Sequence, residues 1–443
     1  AILHEEKVSD PKTGEMTRLY TDEFLDMLAD STFELTVDAM PEGEIAFPDE
    51  PIWRVNGPVW QCLMVEACIL NVTNSQSLFS TLTSRLCKAT EGEPVLEFGL
   101  RRAQSLGGLE SSRAAYVGGG AGTSNMLAKK HYGIPSVGTM AHAFVMLYEN
   151  ETDAFRDYAK ARPNNFVALP DTYDTILGIQ KAVQACKETG TTPKGIRLDS
   201  GDFVSLSIEG RKILDENGYS DAKIAASNDL DVASVFDLKA RGSKNDVWAL
   251  GTNLVTSKEQ PALGGVYKLG AVFDYNRTIT QDELDGLKRG VQSGVCTPDA
   301  LNQYVRDTIK ISGDAIKTSI PGELDIIRHI NKIEDAFIMN GDTIISNLQK
   351  SPVNENHLQE SVLSVSKSNS EQQITYPAGS FAYRPLQRMF DKGKLVGEIN
   401  TIHDARLQAK HSLSLLRENC QSLTTPETYF VGLETSLYDK RQE

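Results

Sequence analysis

Gly195-Ile-Arg-Leu-Asp-Ser-Gly-Asp202 is the stretch that decides how this chain is read. Its first half has the short apolar run of a buried strand, and its second half turns polar around Gly201, which lets a ligand approach the backbone. The same succession recurs on both sides. Strands are expected at Val95-Leu-Glu-Phe, Ile134-Pro-Ser-Val-Gly, Asn165-Phe-Val-Ala-Leu, Lys223-Ile-Ala-Ala-Ser and Asp246-Val-Trp-Ala-Leu, with amphipathic helices such as Thr175 to Thr189 and Phe203 to Asn217 between them. Alternating β and α means parallel strands. Polar clusters close strand after strand: Glu97 to Arg101, Gly138 to His142, Asp171 to Asp174, Arg197 to Asp202, Ser227 to Asp229 and Gly251 to Asn253. An open doubly wound sheet gathers its ligand at one switch point, whereas a barrel builds its site from many strand ends. The expected fold class is therefore α/β, an irregular (β/α) barrel.

Outward from the barrel, Phe33 to Trp60 reads as short strands and turns punctuated by proline and glycine, and Gln61 to Lys88 as a mostly buried helix pair. The expected division is a β-rich domain with that helix pair over 1–93, a barrel over 94–350 and a segment over 351–443 that packs back on the first domain. Within the barrel region, 278–307 is charged, helical and insertion-like. Lys310-Ile-Ser-Gly-Asp and the neighbourhoods of Ile326 and Phe337 read as strands, Ser361 to Gln373 as a surface loop and Leu407 to Glu418 as a helix. No internal repeat is found.

Composition narrows the function. The chain has 443 residues, 40% of them hydrophobic and 24% charged, enough for two or three folded domains. Its net charge of −15 repels nucleic acid, while a small anion remains bindable where arginines concentrate. The apolar stretch Val59 to Val72 is interrupted and too short to span a bilayer, and the opening residues lack the form of a secretory signal. The six cysteines lie far apart without a CxxC pair, so neither zinc nor a disulfide framework is expected. A reduced, cytoplasmic protein fits best.

Within the clusters, Asp199 and Asp202 offer carboxylates to vicinal sugar hydroxyls, and Arg197 a fork for a phosphate or ring carboxylate. A plainer reading, in which Ser200 or Asp202 caps the helix at Phe203, stands beside it. Arg101, next to Glu97 and Gly99, is a candidate anion clamp, and Arg102 reads more naturally as a surface residue. Gly118 to Asn125 is a glycine-rich turn ahead of a helix, able either to cradle an anion or merely to cap. Gly251 and Thr252 follow a late strand, where barrels commonly bind phosphate. His142 ends the Gly138-Thr-Met-Ala-His stretch, and a structural and a catalytic role both remain open for it. Residue chemistry alone reaches an anion-binding barrel enzyme.

The ordered set Glu97-Phe-Gly-Leu-Arg-Arg-Ala-Gln104, Thr123-Ser-Asn125, Gly138-Thr-Met-Ala-His142, Asp171-Thr-Tyr-Asp-Thr175, Arg197-Leu-Asp-Ser-Gly-Asp202 and Gly251-Thr-Asn-Leu-Val-Thr256 resembles the nicotinate phosphoribosyltransferase family. Phe47-Pro-Asp-Glu-Pro51, Gly265-Val-Tyr-Lys-Leu269 and Lys310-Ile-Ser-Gly-Asp314 extend the likeness from about Thr21 to Ser351. The resemblance implies a barrel packed with a smaller β-rich domain, a homodimer, and transfer of phosphoribose from phosphoribosyl pyrophosphate to nicotinate. It also implies ATP hydrolysis through a phosphohistidine, with Mg²⁺ as the partner of pyrophosphate and ATP rather than a protein-caged metal. Position by position, His142 matches the phosphorylated histidine. Glu97, Gly99 and Arg101 match the nicotinate region, Arg197, Asp199 and Asp202 the phosphoribose and pyridine site, and Gly251 with Thr252 the 5′-phosphate loop. Thr139 and Asp229 are assigned to substrate binding with them, although many relatives carry Gly-Asp where this chain has Asn228-Asp229. Relatives usually begin with a further segment whose tyrosine covers the pyridine ring, and Tyr20 lies too near the β-layer to match it. The alternatives are nicotinamide phosphoribosyltransferase, which would want a carboxylate acceptor for the amide, and an inactive relative that binds or scaffolds. Quinolinate phosphoribosyltransferase fits less well, being shorter and independent of ATP.

Overall fold

The computed structural model describes residues 2–273, 279–312, 318–334, 336–349 and 351–442. Thr278, at the start of the expected insertion, and Gly313-Asp314 of the Lys310 motif lie outside the described residues.

Six parallel strands carry the site: β1 Val95–Glu97, β2 Gly122–Thr123, β3 Val167–Ala168, β4 Gly195–Leu198, β5 Lys223–Asn228 and β6 Val247–Leu250. Their spatial order is β2-β1-β6-β5-β4-β3. Followed round from β1, this is the cyclic order of a barrel, with one break between β2 and β3. An isolated parallel bridge from Thr123 to Ser136 partly fills the break. The expected strand at Ile134 is thus reduced to that bridge, because Pro135 has no N–H to give and the ladder cannot extend. In its place β2 emerges from the glycine-rich turn. A Cβ on Gly122 would sit 2.7 Å from the Pro135 carbonyl oxygen, so glycine is what admits the neighbouring chain.

Strand side chains make the core. Leu198, Ile224, Ala226, Trp248 and Leu250 are fully buried and pack with Phe155, Ile179 and Leu214 from the helices Glu151–Ala161, Thr175–Thr189 and Phe203–Glu216 outside the sheet. Trp248 satisfies its indole N–H on Glu93 Oε2 at 2.7 Å. The expected helix pair is a short helix Val59–Met64 followed by a long one, Glu66–Ala89. The buried side chains of the long helix fall in its second half, at Leu78, Thr83, Leu86 and Ala89, while Leu63 and Val72 stay exposed.

A β-rich part stands beside the barrel. The hairpin of Leu324–Ile333 and Ala336–Ser346 belongs to an eight-stranded sheet with Phe381–Tyr383, Val362–Ser366 and Val431–Glu434, not to the barrel to which 94–350 was assigned. Its neighbours in register are Arg328 with Tyr383 and Thr343 with Gly432. The stretch expected as a loop from Ser361 contains the strand Val362–Ser366, whose serines are buried rather than solvated. A four-stranded sheet pairs Thr36–Ala39 with both Trp53–Asn56 and the late strand Gln387–Asp391. The helix expected near the C-terminus spans Ile402–Leu415, five residues ahead of the expected start, because Thr401 and Asp404 form a capping box, and a last helix, Thr435–Gln442, follows it.

Ion pairs fasten the early strands to this late sheet. Arg328, fully buried, donates to Asp342 at 2.7 Å and to Glu44 at 2.6 Å, and its guanidinium lies 5.6 Å over the Phe47 ring. Tyr429 donates to Asp342 at 2.8 Å and stacks on Phe47 with centroids 3.7 Å apart. Burial, with the Asp342 charge, pushes the Glu50 carboxyl well above its ordinary range. Arg54 makes a second clamp, on Asp38 at 2.9 Å and Asp325 at 2.8 Å. Removing one member of such a cluster leaves the others buried and uncompensated. Arg328→Met should therefore lower unfolding stability by roughly 3–5 kcal/mol; a urea titration showing no change would refute the clamp.

His329, beside that cluster, stacks on Tyr376 with centroids 3.4 Å apart and bonds Thr343 Oγ1 at 2.8 Å. Burial pushes its imidazole from 6.5 down to about 3. The unfolded chain takes up this proton first, so the neutral histidine contributes stability above about 6.5 that is lost as pH falls toward 3. His329→Gln should flatten that part of the stability profile, as read from denaturant midpoints across the range.

Candidate active site

At the end of β4 the chain turns polar at the open, C-terminal edge of the sheet. Arg197 is half-buried there, with 20% of its side chain exposed. Its Nε donates to Ser227 Oγ at 2.7 Å, Nη1 to Thr139 Oγ1 at 3.2 Å and Nη2 to Asp199 Oδ1 at 2.6 Å. The guanidinium also lies 5.4 Å from the centre of the Phe98 ring. Burial works against the ionised Asp199, yet the Ser227 hydroxyl and the Arg197 charge outweigh it and hold its carboxyl below the usual range. Asp202 caps the helix Phe203–Glu216, accepting from Ser205 N at 3.2 Å, and remains exposed.

Across the mouth, the short helix His142–Met146 follows the Gly138 turn. His142 Nε2 stands 3.0 Å from Asp171 Oδ1, and Asp171 has no exposed side-chain surface. The other oxygen, Oδ2, accepts from Asp199 N at 2.8 Å and Ser200 Oγ at 2.9 Å. A carboxylate so engaged accepts, so Nε2 is the donor, and in the neutral form of the ring Nδ1 has the lone pair. Asp171 was read in the sequence only as part of a strand-end cluster. Its partnership with His142 spans 29 residues and belongs to neighbouring strand ends, which no local spacing reveals.

The ends of β1 and β6 meet beside Arg197, whose guanidinium faces Phe98. Phe98 N bonds Leu250 O at 2.7 Å. A Cβ on Gly99 would lie 2.3 Å from Val255 Cγ1 and 2.7 Å from Gly251 O, so this glycine serves the contact between two loops. Glu97 does not open into the mouth. It is buried, with its oxygens taken by Gly99 N, by Ser112 Oγ at 2.8 Å and by Thr123 Oγ1 at 2.5 Å. Arg101 sits exposed on the turn Leu100–Arg102 without a side-chain hydrogen bond or ion pair among the described residues. Arg102, read as a surface residue, reaches instead to Thr252 Oγ1 at 2.8 Å, and Thr252 in turn donates to Asp229. Gly251, Thr252, Asp229 and Arg102 thus stand together, close to Phe98.

The comparisons with known proteins bear on this site directly. The nicotinate phosphoribosyltransferase (NAPRTase) family model matches residues 94–269, and the family's N-terminal and C-terminal domain models match 14–74 and 327–441. The nicotinate phosphoribosyltransferase of Bacillus subtilis (strain 168) is 36% identical over 409 residues, covering 91% of this chain and 76% of that protein. This chain belongs to the nicotinate phosphoribosyltransferase family. A relative of that name from Dictyostelium discoideum is 31% identical over 94% of this chain and 74% of its own length. The crystal structure of human nicotinic acid phosphoribosyltransferase superposes with a TM-score of 0.73 at 25% identity, over 95% of this chain and 85% of that one. The expected fold class, a curled parallel sheet of the barrel type with a separate β-rich domain, is borne out. The C-terminal family model begins at residue 327, inside the hairpin that joins the eight-stranded sheet.

Gly99→Ala tests the loop contact. The added methyl must displace Val255 or the Gly251 carbonyl, so a loss of about 1–3 kcal/mol is expected; unchanged thermal unfolding would show that the two loops are not in contact.

Proposed function

We propose that this chain makes nicotinate mononucleotide and pyrophosphate from nicotinate and phosphoribosyl pyrophosphate, coupled to ATP hydrolysis, in the salvage of pyridine nucleotides. The observation that carries this reading is Arg197 over Phe98 at a barrel mouth where Asp171 orients His142. Arg197 uses three of its five N–H donors within the protein, which leaves two for a substrate carboxylate. Phe98 offers a ring face to the pyridine. An amide presents no charge to a guanidinium, so the pair favours nicotinate over nicotinamide.

Asp199 and Asp202 are suited to the ribose hydroxyls, while Arg102 with Thr252 and Gly251 is suited to the 5′-phosphate. As the bond from the anomeric carbon to the pyrophosphate oxygen breaks, its electron pair leaves with pyrophosphate and positive character builds on the sugar. The pyridine nitrogen then closes the new C–N bond, with Asp199 near enough to the ribose to offset the charge. Mg²⁺, carried by the pyrophosphate and triphosphate substrates, would offset the charge of the leaving group, and the exposed Asp229 carboxylate is the hard-oxygen group that would hold it.

His142 Nδ1 attacks the γ-phosphorus of ATP, forming the N–P bond as the bond to the departing ADP oxygen breaks. Asp171 holds the proton on Nε2 and balances the charge of the phosphorylated ring. Water later splits the N–P bond, releases orthophosphate and restores the imidazole, which ties each turnover to ATP. Because phosphorylation assists the transfer without supplying the nucleophile, His142→Asn should abolish ATP stimulation yet keep a slow ATP-independent reaction. Full stimulation in that variant would remove His142 from the mechanism.

A homodimer in a reduced, cytoplasmic setting completes the reading; all six cysteines are free, and among the described residues no helix is long and apolar enough to cross a membrane. Light scattering that finds only single chains would reject the dimer.

The deciding assay is turnover of nicotinate against nicotinamide with phosphoribosyl pyrophosphate. Arg197→Ala should cost about 1.5–3 kcal/mol in nicotinate kcat/KM and erase the preference, while Arg101→Ala costs less. Preference for nicotinamide would favour the sister activity, and no turnover of either base would favour a binding or scaffolding role.

A further inference from the structure

Ser200 has no task in the mechanism above. Asp202 rather than Ser200 caps the helix Phe203–Glu216, so the local duty the sequence offered Ser200 is already filled. Ser200 is exposed, yet it donates its hydroxyl at 2.9 Å to the fully buried side chain of Asp171. The turn that aims it there is fixed: Gly201 has φ of 86°, and a Cβ on it would come within 2.7 Å of Leu206 Cδ1. Asp171 thereby touches both halves of the site, His142 through Oδ1 and the Arg197–Asp202 loop through Oδ2.

We propose that Ser200 is a positioning residue that couples the sugar-phosphate loop to His142 by pinning the Asp171 carboxylate. The inference rests on the phosphohistidine reading of His142. The final torsion of an aspartate is soft, so the plane of its carboxylate is set by its donors. Two donors from adjacent residues, Asp199 N–H and Ser200 Oγ–H, hold Oδ2, and with it the angle at which Oδ1 meets His142 Nε2. A ligand that orders the 197–202 loop orders the carboxylate, and with it the Nδ1 lone pair. Linkage requires the reverse as well: phosphorylated His142, drawing on Oδ1, orders the loop for phosphoribosyl pyrophosphate. Arg197 and Asp199, which face the same space, stay in place when the Ser200 hydroxyl is removed, because their mutual pair and their bonds to Ser227 and Thr139 do not involve it.

The test compares the full-length wild type with Ser200→Ala and Ser200→Thr. In protein labelled with ¹⁵N-histidine, long-range ¹H–¹⁵N spectra report which nitrogen of His142 carries the proton, its signal being assigned by its loss in His142→Asn. Wild type and Ser200→Thr should show the Nε2–H form, and Ser200→Ala a mixture. In equilibrium binding without nicotinate, the gain in phosphoribosyl pyrophosphate affinity on phosphorylation of His142 should shrink by about tenfold in Ser200→Ala and return in Ser200→Thr. An unchanged value of either readout in Ser200→Ala, or a Ser200→Thr protein as impaired as Ser200→Ala, overturns the proposal. If γ-labelled ATP leaves no acid-labile label on wild-type His142, the phosphohistidine reading falls by itself, and the tautomer comparison alone then decides the Ser200 link.

Discussion

The buried carboxylate of Asp171 is the constraint on which the site depends. A charge with no exposed side-chain surface is tolerable only if donors surround it. Here the donors come from two different strand ends, His142 on one side and Asp199 N–H with Ser200 on the other. Meeting that demand forces the segments after β3 and β4 and the turn before His142 to converge at one edge of the sheet. Arg197 is then held by Asp199, Thr139 and Ser227 over Phe98, and the mouth acquires its positive group in a protein of net charge −15.

The curled sheet makes this convergence possible, and the β-rich part keeps the early chain in place. Arg328 and Arg54 bind carboxylates on both sides of the seam between residues 38–54 and the late sheet. Such clusters add little net stability when intact and cost much when broken, so their value lies in fixing one arrangement. The strand Thr36–Ala39 is held between Trp53–Asn56 and Gln387–Asp391, which ties together segments some 350 residues apart in the chain.

Much of this was legible in the residues. Buried parallel strands announce themselves as short apolar runs, and polar clusters at their ends distinguished a barrel from an open sheet. Gly122–Thr123 escaped because it lies in a glycine-rich turn without the apolar run that marks the equally short Val167–Ala168, and Ile134 misled because Pro135 breaks the ladder its apolar neighbours invite. Val362–Ser366 read as polar because its serines are counted as solvated until the sheet buries them. In the site, Arg197 and His142 stood out by position at strand ends, while the role expected of His142 came from the family resemblance and not from its position. Asp171 as the partner of His142, and Arg102 rather than Arg101 on Thr252, depend on contacts across 29 and 150 residues. Glu97 was legible as a strand-end carboxylate but not as one turned inward to Ser112 and Thr123.

If His142 is phosphorylated by ATP as proposed, what Asp171 does to it can be read from the nitrogen that takes the phosphoryl group. Protein labelled with ¹⁵N-histidine, phosphorylated by ATP and kept alkaline, gives the site of the N–P bond by ³¹P–¹⁵N correlation. Phosphoryl on Nδ1 is the expected result, since Nε2 donates its proton to the buried carboxylate. Phosphoryl on Nε2 of His142 would contradict the role given to Asp171.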